Sequence, residues 1–331
     1  MRGVPRRRQE AAVPPNFRAA LRRIRPSDVK DLLLVAFTAA IAWILPGRTW
    51  APIARALTRT RRALGGRSGF RYTRLTARTA ERMGRSQAEI IFAGDALSLE
   101  HSIRAMAEYR PGSSPTRTAL VGKERLVAAL AGGHGAIVWV LECPGASLWA
   151  KMGLARAGFR PYHLSRASHG GSITPFGLYV LNGLQRRTEN RFLAGRILIS
   201  DDNSPAAIRK LRRELDQNQV VTITYGLAAR RILEVPMLDG TLWLSAGPLE
   251  LARQSGAPVL PLFTVDHGGG RVDLLLGAPL HPGPGSEGIL AAATAFAAEL
   301  QDWIAAHPTN WSGFFFGSFQ DSPPGTDDRG P

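Results

Sequence analysis

From Ala119 to Pro308 short apolar runs alternate with longer amphipathic ones, and this alternation limits the fold more than any other feature of the chain. AIVWVLE (136–142), FRPYHLS (159–165), RILIS (196–200), QVVTITYG (219–226), APVLPLFTV (257–265) and RVDLLLGAPL (271–280) have the length and side-chain character of buried strands. Between them, LVGKERLVAALAGG, LWAKMGLARAG, PFGLYVLNGLQRRTENRFLAG, SPAAIRKLRRELDQN and GPLELARQSG read as helices, and EGILAAATAFAAELQDWIAAHP closes the series. Strands apolar on both faces, each separated by a helix, predict an α/β fold with a largely parallel central sheet flanked by helices. Upstream, residues 50–110 carry long polar-apolar periodicity with few breakers and are expected to be mostly helical. The division that follows is a basic arm over 1–26, expected to be disordered, and an apolar anchor helix with a helical region over 27–110. An α/β domain over 111–321 and a disordered Pro/Gly/Asp tail over 322–331 complete it.

Charge is the second constraint. The formal net charge is +16, an excess that points to an anionic partner. Its distribution matters more. Arg2, Arg6, Arg7, Arg8, Arg18, Arg22, Arg23, Arg25 and Lys30 precede the run LLLVAFTAAIAWILP (32–46), and Arg48, Arg55, Arg59, Arg61, Arg62 and Arg67 follow it. As a helix, that run covers about 22 Å, short of a hydrocarbon core of ~30 Å. It lies far from the amino terminus and lacks a small-residue cleavage site, which argues against a signal peptide. A short or tilted membrane anchor, an interfacial or re-entrant helix and a buried core helix all remain open. Basic residues on both flanks favour a monotopic segment against anionic headgroups.

Several chemistries are excluded by pattern. The chain has one cysteine, Cys143, so it holds neither an intramolecular disulfide nor a multi-thiolate zinc site. GGHG (132–135) precedes a strand instead of following one, and is a turn, not a phosphate loop. GxSxG is absent, and GAS (145–147) lacks the final glycine of a nucleophile elbow. No HExxH or clustered carboxylates suggest a metal, no cofactor signature appears, and no nucleic-acid-binding module accounts for the charge.

Two polar clusters remain. YHLSRASHGGS (162–172) places His163, Arg166 and His169 among hydroxyls and glycines just past a strand. Either imidazole is a candidate general base and Arg166 a candidate phosphate or carboxylate ligand, unless the stretch is a plain solvated loop. No acid lies four or five residues from either histidine. The second cluster, TYGLAARRILEVPMLDG (224–240), contributes Arg230 and Arg231 before an EVPMLDG turn. At the junction LECPGAS, Glu142, Cys143 and Ser147 sit where α/β enzymes often place catalytic groups.

Together these segments resemble the bacterial lipid A biosynthesis (lauroyl/myristoyl) acyltransferases of the lysophospholipid acyltransferase superfamily. The resemblance runs from residue 32 to about Phe314. It rests on VGKERLVAALAGGHGAIVWVLE, on EVPMLDGTLWLSAGPLELARQSGAPVLPLF and on HPTNWSGFFF, with Pro308 and Trp311 matching a closing P-x-x-W segment. It implies transfer of a fatty acyl group from acyl carrier protein or acyl-CoA to a lipid or glycolipid hydroxyl. The expected setting is the cytoplasmic face of a bacterial inner membrane, with an anionic membrane surface as partner. It implies no metal and no cofactor.

The family's chemistry rests on a histidine with an acid five residues later, and this chain departs from that pattern. Aligning the motif's glycine on Gly145 puts Cys143 and Leu148 at the dyad positions, and a shift of one puts Glu142 and Ser147 there. Two expectations follow. In one, the base has moved to His169 or His163 with Arg166 near the donor, or Cys143 acts as an acyl-accepting thiol. In the other, the chain is a non-catalytic homologue that binds lipid or acyl carrier. Trp139, Trp149, Phe159 and Phe176 are candidate walls of an acyl pocket or ordinary core. The acceptor stays open among a lipid A precursor, another glycolipid, a lysophospholipid and a secondary-metabolite hydroxyl.

Overall fold

The computed structural model of the chain describes residues 17–65, 84–110, 115–141, 145–166, 169, 172–200, 204–225, 231–237, 240–307 and 319–320. The arm before residue 17, the tail after 320, the HPTNWSGFFF segment from Pro308 onward, Glu142, Cys143 and Arg230 lie outside these residues.

The alternating segment folds as a seven-stranded sheet. Its strands are β1 (Arg117–Val121), β2 (Ala136–Val140), β3 (Tyr162–Ser165), β4 (Gly195–Leu198), β5 (Val220–Thr224), β8 (Val259–Asp266) and β9 (Arg271–Leu276), in the order β1-β9-β8-β2-β5-β3-β4. β8, β2, β5, β3 and β4 run parallel, whereas β8 and β9 form an antiparallel hairpin, so β9 and its parallel neighbour β1 run the opposite way. The predicted α/β architecture is therefore present, with two reversed strands at one edge.

Two departures have local causes. Leu120 and Val121 are the end of β1, not the start of a helix. Gly122 turns the chain at φ +80°, so the helix α5 begins only at Lys123 and ends at Ala131. The EVPMLDG segment, read as a turn, supplies the strand β6 (Ile232–Met237). It pairs with β7 (Gly240–Ser245) in a small antiparallel sheet that also holds β10 (Phe319–Gln320). Alternating burial along β6 fits a strand with one solvated face.

Helices cover both faces. On one side, α6 (Ala146–Arg156) lays Trp149, Met152 and Leu154 on Val138, Val140 and Leu274. On the other, α10 (Gly247–Ser255) and α11 (Gly285–Ala306) cover Ile137, Trp139, Val221 and Phe263. Trp139 stacks on Phe296 at 4.4 Å between centroids. Full burial of each such large apolar side chain contributes about 1.5–3 kcal/mol. Of the proposed pocket walls, Trp139, Trp149 and Phe176 are buried, and the partly buried Phe159 packs against the α6-side core.

The amino-terminal region adds α1 (Phe17–Leu21), α2 (Pro26–Ile44), α3 (Trp50–Ala63) and α4 (Gln87–Tyr109). Ile41, Ala42, Trp50 and Ala54 pack on Ile103 and Ala107 of α4. α4 is in turn pinned to the sheet, because Arg104 donates to Asp266 at 2.7 Å and His101 contacts the same carboxylate. Val29, Leu32, Leu33, Phe37, Trp43 and Ile44 of α2 are exposed, although the Trp43 indole still donates to the Met106 carbonyl of α4 at 2.8 Å. Among the described residues, the helix long and apolar enough to cross a membrane is α11, by length and composition alone. Ile289, Phe296, Leu300 and Trp303 of that helix are buried in the core.

Candidate active site

The site begins as a row across the sheet. Thr222 of β5, His163 of β3 and Arg196 of β4 are paired in register, so their side chains emerge on the same face. Ser165, two residues beyond His163, shares that face. The helices α6 and α8 (Leu181–Asn190) cover it and contribute Lys151 and Glu189. A polar seam is thus enclosed between the sheet and two helices. Ordinary sheet packing would place apolar side chains there.

Glu189 is its centre. The side chain is wholly buried, and His169 Nε2 lies 2.9 and 3.0 Å from its two oxygens. Lys151 Nζ is 2.8 Å from Oε2, and the Arg196 guanidinium donates to the same oxygen at 2.7 Å. Burial alone would raise the carboxyl's pKa. The Lys151 ammonium first, and the hydrogen bond from His169 second, reverse this and hold it well below the usual carboxylate range. Lys151 has the opposite balance, since burial pushes its ammonium down to about 8 although Glu189 pulls the other way.

His169 occupies the loop after β3. Its amide donates to the Arg166 carbonyl at 3.1 Å, and its side chain is 18% exposed. With Nε2 donating to Glu189, Nδ1 is the nitrogen that takes a proton. His163 stands beside it, ring centroids 5.6 Å apart, and is buried. Its Nδ1 lies 3.0 Å from Thr222 Oγ1, while its buried Nε2 has no hydrogen-bond partner among the described residues. Burial first, and the Lys151 charge second, drive its pKa well below the ordinary imidazole value, so His163 is neutral.

The structure joins His169 and Ser147 through Glu189 and Lys151, because Lys151 Nζ donates to Ser147 Oγ at 2.6 Å. His163 stands beside that network as a ring neighbour of His169. Gly145 has a conformational role: it starts α6 at φ +79°, and a Cβ there would come within 2.6 Å of the Trp149 ring. Arg166 directly follows β3 and is half-buried. Arg231 pairs with Glu250 of α10 at 3.1 Å, and none of its contacts leads to the imidazoles. Sequence reasoning passed over Glu189, Lys151 and Arg196. The available signals were faint: Glu189 is the one acid between Pro175 and Gly195, and Lys151 is a lone lysine in the otherwise apolar start of a helix.

Donor atoms of His163, His169 and Glu189 lie within 4.8 Å of one another, close enough to share a metal ion. Lys151 and Arg196 already supply two fixed cations to that carboxylate, a poor setting for a third. A second histidine-acid pair, His101 and Asp266, is closed to solvent, and Arg104 shares its carboxylate. The His101 ring meets Trp149 edge-on at 4.7 Å. That pair is a strut between α4 and the sheet.

No family model matches the chain, and no curated protein matches it. The solved 1-acyl-sn-glycerophosphate (LPA) acyltransferase PlsC from Thermotoga maritima is similar to it at 15% identity and a TM-score of 0.38, over 84% of this chain and 99% of that one. So loose a likeness carries no argument.

Proposed function

We propose that the chain is an acyltransferase that moves a fatty acyl group from acyl carrier protein or acyl-CoA to a lipid or glycolipid hydroxyl. The observation that carries this is the pair His169 and Glu189, a partly exposed imidazole held by a buried carboxylate 2.9 Å away. The carboxylate lacking at the expected spacing comes from α8, 20 residues on. His169 Nδ1 takes the acceptor's hydroxyl proton as the oxygen attacks the thioester carbonyl. The C–S bond breaks, and the proton passes to the departing thiolate. Glu189 fixes the ring and stabilises the imidazolium, a role worth ~10²–10⁴-fold for a positioned base. The resemblance of the sequence to lipid A acyltransferases supplies the reaction class.

The setting proposed is the cytoplasmic face of a bacterial inner membrane. Its support is the exposed apolar side of α2, with Leu33 65% and Ile44 76% exposed, between basic flanks. A second reading, a non-catalytic lipid- or carrier-binding homologue, is favoured by the complete burial of Glu189 under two fixed cations, as in a structural ion cluster. The two are separated by assaying purified protein with acyl-carrier and acyl-CoA donors against lysophospholipid and glycolipid acceptors. The enzyme reading expects turnover that falls at least ~100-fold in His169→Ala. Lipid binding without turnover by any donor contradicts it.

A further inference from the structure

The arrangement of α6 deepens this reading and rests on it, replacing the acceptor's direct attack on the thioester by two half-reactions at the same site. Ser147 is the second residue of α6, at the junction where β2 hands the chain to a helix. It is half-buried, and Lys151 stands four residues on, one turn along the same face. Lys151 Nζ lies 2.6 Å from Ser147 Oγ and 2.8 Å from Glu189 Oε2, and Glu189 reaches His169. Serine, lysine, carboxylate and imidazole therefore form one continuous hydrogen-bonded chain. Its two ends, Ser147 and His169, are its more exposed members.

We propose that Ser147 is an acyl-accepting nucleophile, that Lys151 is its base, and that the acyl group passes through a Ser147 ester before reaching the acceptor. In the first half, Ser147 Oγ bonds to the thioester carbonyl carbon as its proton moves to a neutral Lys151 amine. The C–S bond then breaks, and the Lys151 ammonium returns that proton to the departing thiolate. In the second half, the acceptor hydroxyl attacks the ester carbonyl and its proton goes to His169 Nδ1. The C–Oγ bond breaks, and the proton taken up by His169 passes to Ser147 Oγ, which leaves His169 and Lys151 both neutral for the next cycle. Two bases sharing one carboxylate thus serve two half-reactions.

Three observations favour this over a plain buried ion pair. An ion pair with Glu189 alone would leave Lys151 no reason to reach a half-exposed hydroxyl. Burial and the Arg196 guanidinium both disfavour the ammonium, which brings a neutral amine within reach near neutral pH. Of the first-turn amides of α6, those of Leu148 and Trp149 already donate to the Gly145 carbonyl at 3.1 Å. Those of Ala146 and Ser147, without an acceptor among the described residues, can meet a developing oxyanion.

The test is acylation without acceptor. Full-length protein is incubated with p-nitrophenyl laurate, and separately with lauroyl-CoA, then measured by intact mass and peptide mapping. The expected result is one lauroyl group on Ser147, absent in Ser147→Ala. In Lys151→Arg, which keeps the buried charge and is checked for an unchanged melt, the adduct forms at least ~100-fold more slowly. In His169→Ala the adduct forms but is not passed to an acceptor. Unmodified wild-type protein that still transfers acyl groups overturns the proposal, as does an adduct that persists in Ser147→Ala. Acylated Ser147 with no transfer to any acceptor supports the Ser147 role and sinks the acyltransferase reading, so the two failures are distinct.

Discussion

At the scale of single residues, the site is a matter of charge balance around one carboxylate. Glu189 is held ionised by Lys151, His169 and Arg196, with neutral His163 adjacent. Replacing it by Gln leaves the buried Arg196 guanidinium without its counter-charge, and such a break costs about 3–5 kcal/mol. Denaturant unfolding of Glu189→Gln is expected to show a loss of that size, and a change under ~1 kcal/mol contradicts the arrangement. Lys151 is faced by Glu189 from α8, Arg196 from β4 and His163 from β3, while His169 from the loop and Tyr109 from α4 act on it through Glu189. Below about 8 it is protonated and takes no proton from Ser147; above it the amine is free. Ser147 acylation by p-nitrophenyl laurate is therefore expected to rise between pH 7 and 9 with its midpoint near about 8, and a flat profile would exclude Lys151 as the base. Little of this was legible. His163, His169 and Ser147 were visible as polar side chains at strand ends, but the acid was sought within five residues. It arrives from α8, because pairing of β3 with β4 lays that helix over the histidines, and sequence spacing does not record such an approach.

At the scale of elements, α2 joins the proposed membrane face to the site. The apolar run from Leu32 was legible, but the helix starts earlier, at Pro26, capped by the hydrogen bond from the Arg25 amide to Asp28 at 2.8 Å. Its 19 residues span about 28 Å, yet Asp28, Lys30 and Asp31 occupy its first turns. Asp28 also accepts a hydrogen bond from Thr174, which caps α7 (Pro175–Tyr179) just beyond the His169 loop. The first turn of α2 is thereby fixed to the end of the segment that carries the base. Leu33→Asp with Ile44→Asp is expected to reduce flotation with anionic vesicles at least ~10-fold while leaving the melt unchanged, since neither side chain packs in the core. Undiminished binding by this variant would place the membrane contact elsewhere. The strands β1 and β6 were missed for a related reason. Each is short, and Gly122 and the β6–β7 turn lie where local pattern favours helix onset or loop.

At the scale of the whole molecule, the alternation from Ala119 onward did specify the sheet, because strands buried on both faces must be continuously apolar. The reversal of β9 was not legible, since periodicity is blind to strand direction. The short HGGG turn between β8 and β9 allows only an antiparallel return. A net charge of +16 favours anionic partners in general, and under the proposed function binding to acidic carriers and anionic headgroups is expected to weaken with salt. The most direct measurement is the rate of labelled acyl transfer from carrier or CoA to a lipid acceptor by wild type and by His169→Asn, matched for folding. The account predicts turnover by the wild type and at least a ~100-fold loss in the variant. Equal rates in the two proteins would contradict it.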